Sequence, residues 1–158
     1  RAAGPFSLNA LVRIEAEDGG FGRDDSGFWF WLAHLAPIGG FEMDPAAVAE
    51  RFAGTPYLWG GRTSVGLDCS GLVQQALYAC GRACPRDTDQ QAALGRAIGR
   101  AELARGDLVC WRGHIGLMLD GDRLIHANAH HMAVAIEPVD AAIERIRPGG
   151  GEASFRRL

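Results

Sequence analysis

Apolar and polar positions divide the chain into a β-patterned front, a helical middle and a β-patterned rear. Leu8, Ala10, Leu11, Val12 and Ile14 predict a strand over residues 8–15. The polar run from Glu15 to Gly20 predicts a turn, and Phe28, Trp29, Phe30 and Trp31 predict a second strand over 27–35. A break falls at Pro37 to Gly40. Asp44-Pro45 then predicts a helix start, because Asp accepts free N–H groups as an N-cap and Pro lacks an N–H that would go unpaired. Val48 and Phe52 share one face of that helix, and Gly54 ends it. Residues 55–61 read as a structured loop. From Cys69 to Cys80, Leu72, Val73, Ala76 and Leu77 recur at helical spacing, closed by Gly81. A short helix is predicted from Thr88 to Leu94, capped by Asp87 or Thr88. Beyond Gly106 the period changes. Residues 107–111, 115–119, 123–128 and 133–139 predict four strands, with Asp120-Gly121-Asp122 as a hairpin turn. Helices followed by an antiparallel meander predict an α+β domain, not a doubly wound one.

Composition narrows the function classes. The 158 residues are 47% hydrophobic and 22% charged, enough apolar content for one domain with an appendage. No apolar run approaches the ~20 residues a membrane helix needs, so no membrane span is expected. All sixteen basic residues are Arg, scattered from Arg1 to Arg157, which argues against a nucleic-acid surface. The absence of Lys excludes Schiff-base chemistry and a P-loop Lys. Four Cys are too few for a disulfide scaffold of this length and read as free thiols. The start at Arg1, without an initiator Met or an apolar leader, predicts a processed or engineered end.

Chemistry concentrates at Cys69. It begins the second helix, where unpaired N–H groups and the helix dipole favour a thiolate, while Asp68 beside it opposes that shift. Taken alone, Cys69 is equally a small residue packed at a helix start. Cys80, Cys84 and Cys110 fall at a helix end, in a loop and inside a strand, and read as packing. A thiol nucleophile needs a base. His114 begins one predicted strand and His126 lies on the next, roughly opposite it if the hairpin pairs symmetrically around Gly121. One imidazole can then serve the sulfur while the other orients it. His126, His130 and His131 raise a competing metal reading. However, 126 and 130 share a face, 131 points away, and no neighbouring carboxylate or Cys completes a tetrahedral set. No metal and no cofactor is expected.

Five motifs in register carry a resemblance. Tyr57-Leu58-Trp59-Gly60-Gly61, Asp68-Cys69-Ser70-Gly71-Leu72-Val73, Gly106-Asp107-Leu108-Val109, His114-Ile115-Gly116 and Ile125-His126-Ala127 resemble the motif series of the NlpC/P60 cysteine peptidases, over roughly residues 44–140. The resemblance implies a papain-like α+β fold, with helices packed on a central antiparallel sheet. It also implies cleavage of bacterial cell-wall peptides after γ-D-glutamate and before a diamino acid. Pro85-Arg86-Asp87-Thr88 and residues 126–134 resemble the dipeptidyl-peptidase VI branch, which releases L-Ala-γ-D-Glu from peptides with a free N-terminal Ala. Leu8 to Pro37 resembles the last strands of the SH3-like domain found in that branch. Residues 1–40 are therefore expected to be a partial SH3-like domain and 41–158 the catalytic domain.

The resemblance implies roles residue by residue. Cys69 is the nucleophile, His114 the general base and acid, and His126 the group orienting His114. Tyr57 donates to the developing oxyanion beside the Cys69 backbone N–H. Asp68 and Ser70 meet the substrate's free α-amine. Arg86 and Thr88 line the cleft, with Arg86 facing the glutamate carboxylate. The expected partner is a peptidoglycan-derived peptide. The compartment is either the bacterial cytoplasm, in wall recycling, or the cell envelope and beyond. Two alternatives stand beside this reading: a wall-peptide binding module with a degenerate site, and an amidase or acyltransferase using the same Cys-His chemistry.

Overall fold

A computed structural model of the chain describes residues 6–158. The front forms a three-stranded antiparallel sheet of β1 (Ile14–Asp18), β2 (Phe21–Asp24) and β3 (Trp29–Trp31), followed by a 3-10 turn at Leu32–His34. The first strand starts later than predicted, and the expected turn at 15–20 is largely strand. The reason is local. Asn9 adopts a positive φ of 66° and its amide nitrogen donates to the Gln75 carbonyl at 2.9 Å, so residues 8–13 cannot run straight. Leu8 instead packs against the main core, and its N–H reaches the Ser64 hydroxyl at 3.1 Å.

Asp44 caps α1 (Pro45–Glu50) as predicted, accepting from the Ala46 N–H at 2.9 Å, with Val48 and the following Phe52 buried. A small hairpin of β4 (Arg62–Thr63) and β5 (Gly66–Leu67) leads into α2 (Cys69–Ala79), and α3 (Thr88–Gln91) follows. The main sheet is six-stranded, in the order β10-β9-β8-β7-β11-β6. Its strands are β6 (Arg96–Ile98), β7 (Leu108–Trp111), β8 (His114–Met118), β9 (Arg123–Asn128), β10 (Ala133–Pro138) and β11 (Ser154–Arg157). Four of these were legible as the meander. The short β6 and the returning β11, which inserts between β7 and β6, were not.

Alternation along the strands gives the sheet two buried faces. Ile115, Leu117, Ile125, Ala127 and Val134 join α1 and α2 in one core. Val109, Trp111, Met118 and Leu124 join Val139 and Ala142 of α4 (Val139–Gly150) in the other. Burial on both faces explains why these strands read as nearly continuous apolar runs. The helix α4 was not predicted, yet its Val139 and Ala142 help to bury the second face.

Candidate active site

Cys69 occupies the first position of α2, and Asp68 is the N-cap, its Oδ1 accepting from the Gly71 N–H at 2.7 Å. Close packing brings the preceding loop onto this turn. A Cβ at Gly71 would stand 2.3 Å from the Gly61 carbonyl oxygen, so only glycine lets that strand-loop lie against the helix. Asp68 is otherwise saturated. Its Oδ2 accepts from the Gly60 N–H at 2.9 Å, and the Arg86 guanidinium grips both oxygens, at 3.0 and 2.5 Å. Arg86 also donates to the Ser70 hydroxyl at 2.7 Å. Arg86, expected to line the cleft and face the glutamate carboxylate, is paired with Asp68 as its counter-ion.

The environment corrects the expected thiolate. Burial, then the Asp68 charge, push the Cys69 thiol above its ordinary value, and the N–H groups of Ile115, Ser70 and Cys69 itself offset this only in part. The helix N-terminus is therefore outweighed. The Ile115 N–H that helps to lower the thiol belongs to the residue after His114, which places Cys69 beside the start of β8.

The β8–β9 register, Leu117 with Ile125 and Met118 with Leu124, is centred on Gly121 as predicted. It makes His114 and His126 diagonal neighbours on one face, not directly opposed partners. Gly116 lies between them. A side chain there would come within 2.6 Å of Leu124 and 3.0 Å of the His126 Cβ, so its absence leaves the path open. His114 Nε2 and His126 Nδ1 approach to 2.7 Å. His114 Nδ1 is then the ring nitrogen left for the sulfur. Burial, reinforced by the neighbouring His126, pushes the His114 imidazole down to about 3, and burial also lowers His126. The resting pair is a neutral thiol and a neutral imidazole.

Tyr57 is half-buried and its loop is pinned by a 2.9 Å bond from its N–H to the Met132 carbonyl. Burial and the nearby Cys69 and Asp68 raise its hydroxyl, which stays a donor. Thr88 opens α3, half-buried, without a side-chain hydrogen bond among the described residues. Trp59 is exposed on the loop beside Asp68.

A profile of the NlpC/P60 family matches residues 54–145, more than half of the chain and every residue just described. The chain belongs to the NlpC/P60 family. Among its relatives, a probable endopeptidase NlpC homolog of Haemophilus influenzae is 38% identical over 86 residues, covering 52% of this chain and 47% of that protein. A gamma-D-glutamyl-L-lysine dipeptidyl-peptidase of Bacillus subtilis is 36% identical over 84 residues, covering 48% and 28%. The chain thus spans less than half the length of these curated relatives. The crystal structure of an NlpC/P60 family protein from Bacillus cereus superposes with a TM-score of 0.78 at 24% identity, covering 96% of this chain and 54% of the other. At that identity the likeness concerns the fold. Its coverage takes in most of the front sheet, compatible with an SH3-like segment.

Within this NlpC/P60 chain, three residues near the site escaped sequence reading. Glu137 on β10 accepts from His126 Nε2 at 2.6 Å, and Arg145 on α4 grips both Glu137 oxygens at 2.6 and 2.5 Å. Burial would raise Glu137, but the hydrogen bonds from His126 and Arg145 hold it well below the carboxylate range. Gln91, fully buried, donates to the Ser70 carbonyl at 3.0 Å and braces α3 against the first turn of α2. Glu137 also corrects the metal argument, since a carboxylate does lie beside His126. The imidazoles of His126 and His131 and the Glu137 carboxylate lie within 4.8 Å of one another. Glu137 is already engaged by Arg145, and His131 by Asn128 Oδ1 at 3.0 Å, which gives the group a hydrogen-bonding role. No helix among the described residues is long and apolar enough to cross a membrane.

Proposed function

We propose that this chain carries a cysteine peptidase that hydrolyses bacterial cell-wall peptides at the bond between γ-D-glutamate and a diamino acid. The observation that carries the reading is the 2.7 Å His114–His126 pair beside the Cys69 end of α2, inside a family match that covers both elements. The relative named gamma-D-glutamyl-L-lysine dipeptidyl-peptidase supports the choice of bond. Residues 1–40 are read as a partial SH3-like domain and 41–158 as the catalytic domain.

In this mechanism His114 Nδ1 takes the Cys69 proton as the sulfur attacks the γ-glutamyl carbonyl. Because the resting pair is neutral, the transfer accompanies attack and does not precede it. The Tyr57 hydroxyl and the Cys69 N–H donate to the oxyanion. His114 returns the proton to the departing amine, and water, activated by the same imidazole, cleaves the thioester. Asp68 and Ser70, held by Arg86, face the substrate's amino end. Asp68 already accepts bonds at both oxygens, so an ammonium group must share it with Arg86. Thr88 lines the same cleft.

Two substrates test the reading: L-Ala-γ-D-Glu-diaminopimelate with a free or an acetylated N-terminus, with products identified by mass spectrometry. Release of diaminopimelate from the free peptide supports the proposed bond, and preference for it over the acetylated form supports the dipeptidyl-peptidase branch. Binding of either peptide without turnover contradicts the reading in favour of a wall-binding module. Products bearing a transferred acyl group contradict hydrolysis in favour of an acyltransferase.

A further inference from the structure

The two imidazoles and the groups behind them form an uninterrupted series. His114 Nε2 meets His126 Nδ1 at 2.7 Å, His126 Nε2 meets Glu137 Oε1 at 2.6 Å, and Arg145 donates to both oxygens of Glu137. The register explains the assembly. Leu124 pairs with Glu137 and His126 with Ala135, so Glu137 shares the His126 face and lies diagonal to it. The helix α4 packs on that face and supplies Arg145. His126 is fully buried and Glu137 nearly so, leaving water little access to either contact.

We propose that Glu137, clamped by Arg145, is a positioning residue that sets the tautomers of both imidazoles and thereby presents an unprotonated His114 Nδ1 to Cys69. An ionised carboxylate only accepts hydrogen bonds, so the proton in the 2.6 Å contact sits on His126 Nε2. A neutral imidazole carries one N–H, and His126 Nδ1 is therefore a bare acceptor. The 2.7 Å contact needs a donor, which must be His114 Nε2–H. His114 is neutral as well, so its Nδ1 holds a lone pair. Reversing the series would put a proton on His126 Nδ1, force the His114 proton onto its own Nδ1, and leave no base for the thiol. Arg145 adds direction by keeping Glu137 ionised, which disfavours a protonated carboxyl that could donate backwards.

The tautomer assignment stands on these contacts together with the neutral imidazoles that burial favours and the ionised carboxylate that Arg145 holds. Its consequence for Cys69 rests on the reading under Proposed function. Long-range proton–nitrogen NMR of the full chain at neutral pH separates the two. The expected result is both His114 and His126 as neutral Nε2–H tautomers. An Nδ1–H signal on His114, or a protonated imidazole at either position, overturns the proposal, and this holds whether or not any variant folds. Kinetics supplies the second arm. Glu137→Gln, which removes the charge and disturbs the Arg145 clamp, should lower kcat by about 10–100-fold with KM nearly unchanged. Glu137→Asp should recover part of the loss. A Glu137→Gln protein with wild-type kcat and unchanged His114 nitrogen shifts contradicts the positioning role. If Cys69→Ala retains turnover, the nucleophile assignment fails while the NMR result still decides the tautomers.

Discussion

Replacing Gly71 by Ala sets two opposed effects against each other two residues from Cys69. Gly71 is the third residue of α2, and helix propensity alone favours Ala by about 1 kcal/mol. The new Cβ, however, would stand 2.3 Å from the Gly61 carbonyl oxygen and 2.9 Å from Asp68 Oδ1. The first contact is backbone and cannot rotate away. Overpacking of this kind costs about 1–3 kcal/mol. The Gly61 carbonyl also accepts the Asp68 N–H at 3.2 Å, and pushing it aside strains a bond worth about 1–3 kcal/mol when a buried group is left unpaired. The losses exceed the propensity gain, for a net destabilisation of about 1–5 kcal/mol, which a domain of ordinary stability survives. Urea unfolding followed by tryptophan fluorescence measures it, with peptidase activity assayed on the same sample. Gly149→Ala is the control, in α4 with open space around the new methyl group, and should be neutral or gain up to about 1 kcal/mol. A Gly71→Ala protein as stable and as active as the parent would refute the close-approach argument, because propensity would then have won.

The neutral resting pair predicts a particular pH response. Cys69 lies above its ordinary value and His114 near 3, so the sulfur is protonated throughout the neutral range. Its alkylation by iodoacetamide should therefore rise about tenfold per pH unit between pH 7 and 9; a plateau from about pH 6 would mark a thiolate–imidazolium pair and contradict the account. Arg86→Leu leaves the largely buried Asp68 carboxylate without its counter-ion. It should lower stability by about 1–3 kcal/mol, less than for a fully buried pair because Arg86 is partly exposed, and slow Cys69 alkylation further; an unchanged urea midpoint would show that the pair is dispensable.

Much of the chain from Asp44 to Asn128 was legible because its signals are local. Asp44-Pro45 announces a capped helix by chemistry alone, and the Leu72, Val73, Ala76, Leu77 spacing gives α2 within one residue of its observed end. The Asp-Gly-Asp turn set the β8–β9 register, and with it the proximity of His114 and His126. What escaped depended on distant partners. The thiol's environment was misjudged because the helix terminus is visible in the sequence whereas burial is not. The Arg86–Asp68 pair went unseen because it spans eighteen residues of sequence. The helix α4 carries an apolar stripe at Val139, Ala142, Ile143 and Ile146, a readable period that its polar remainder and the Pro148-Gly149-Gly150 ending obscured. Missing α4 meant missing Arg145, and without Arg145 nothing marked Glu137 as more than a surface carboxylate on a strand.

The proposed mechanism requires Cys69 to form a covalent acyl intermediate with the γ-glutamyl group of a wall peptide. Rapid quenching of the full chain during turnover of L-Ala-γ-D-Glu-diaminopimelate, followed by proteolysis and mass spectrometry, addresses it directly. The account predicts a dipeptidyl mass increment on the fragment containing Cys69, absent in Cys69→Ala, which should also release no diaminopimelate. Turnover that persists in Cys69→Ala, or an adduct carried by a different residue, would contradict it.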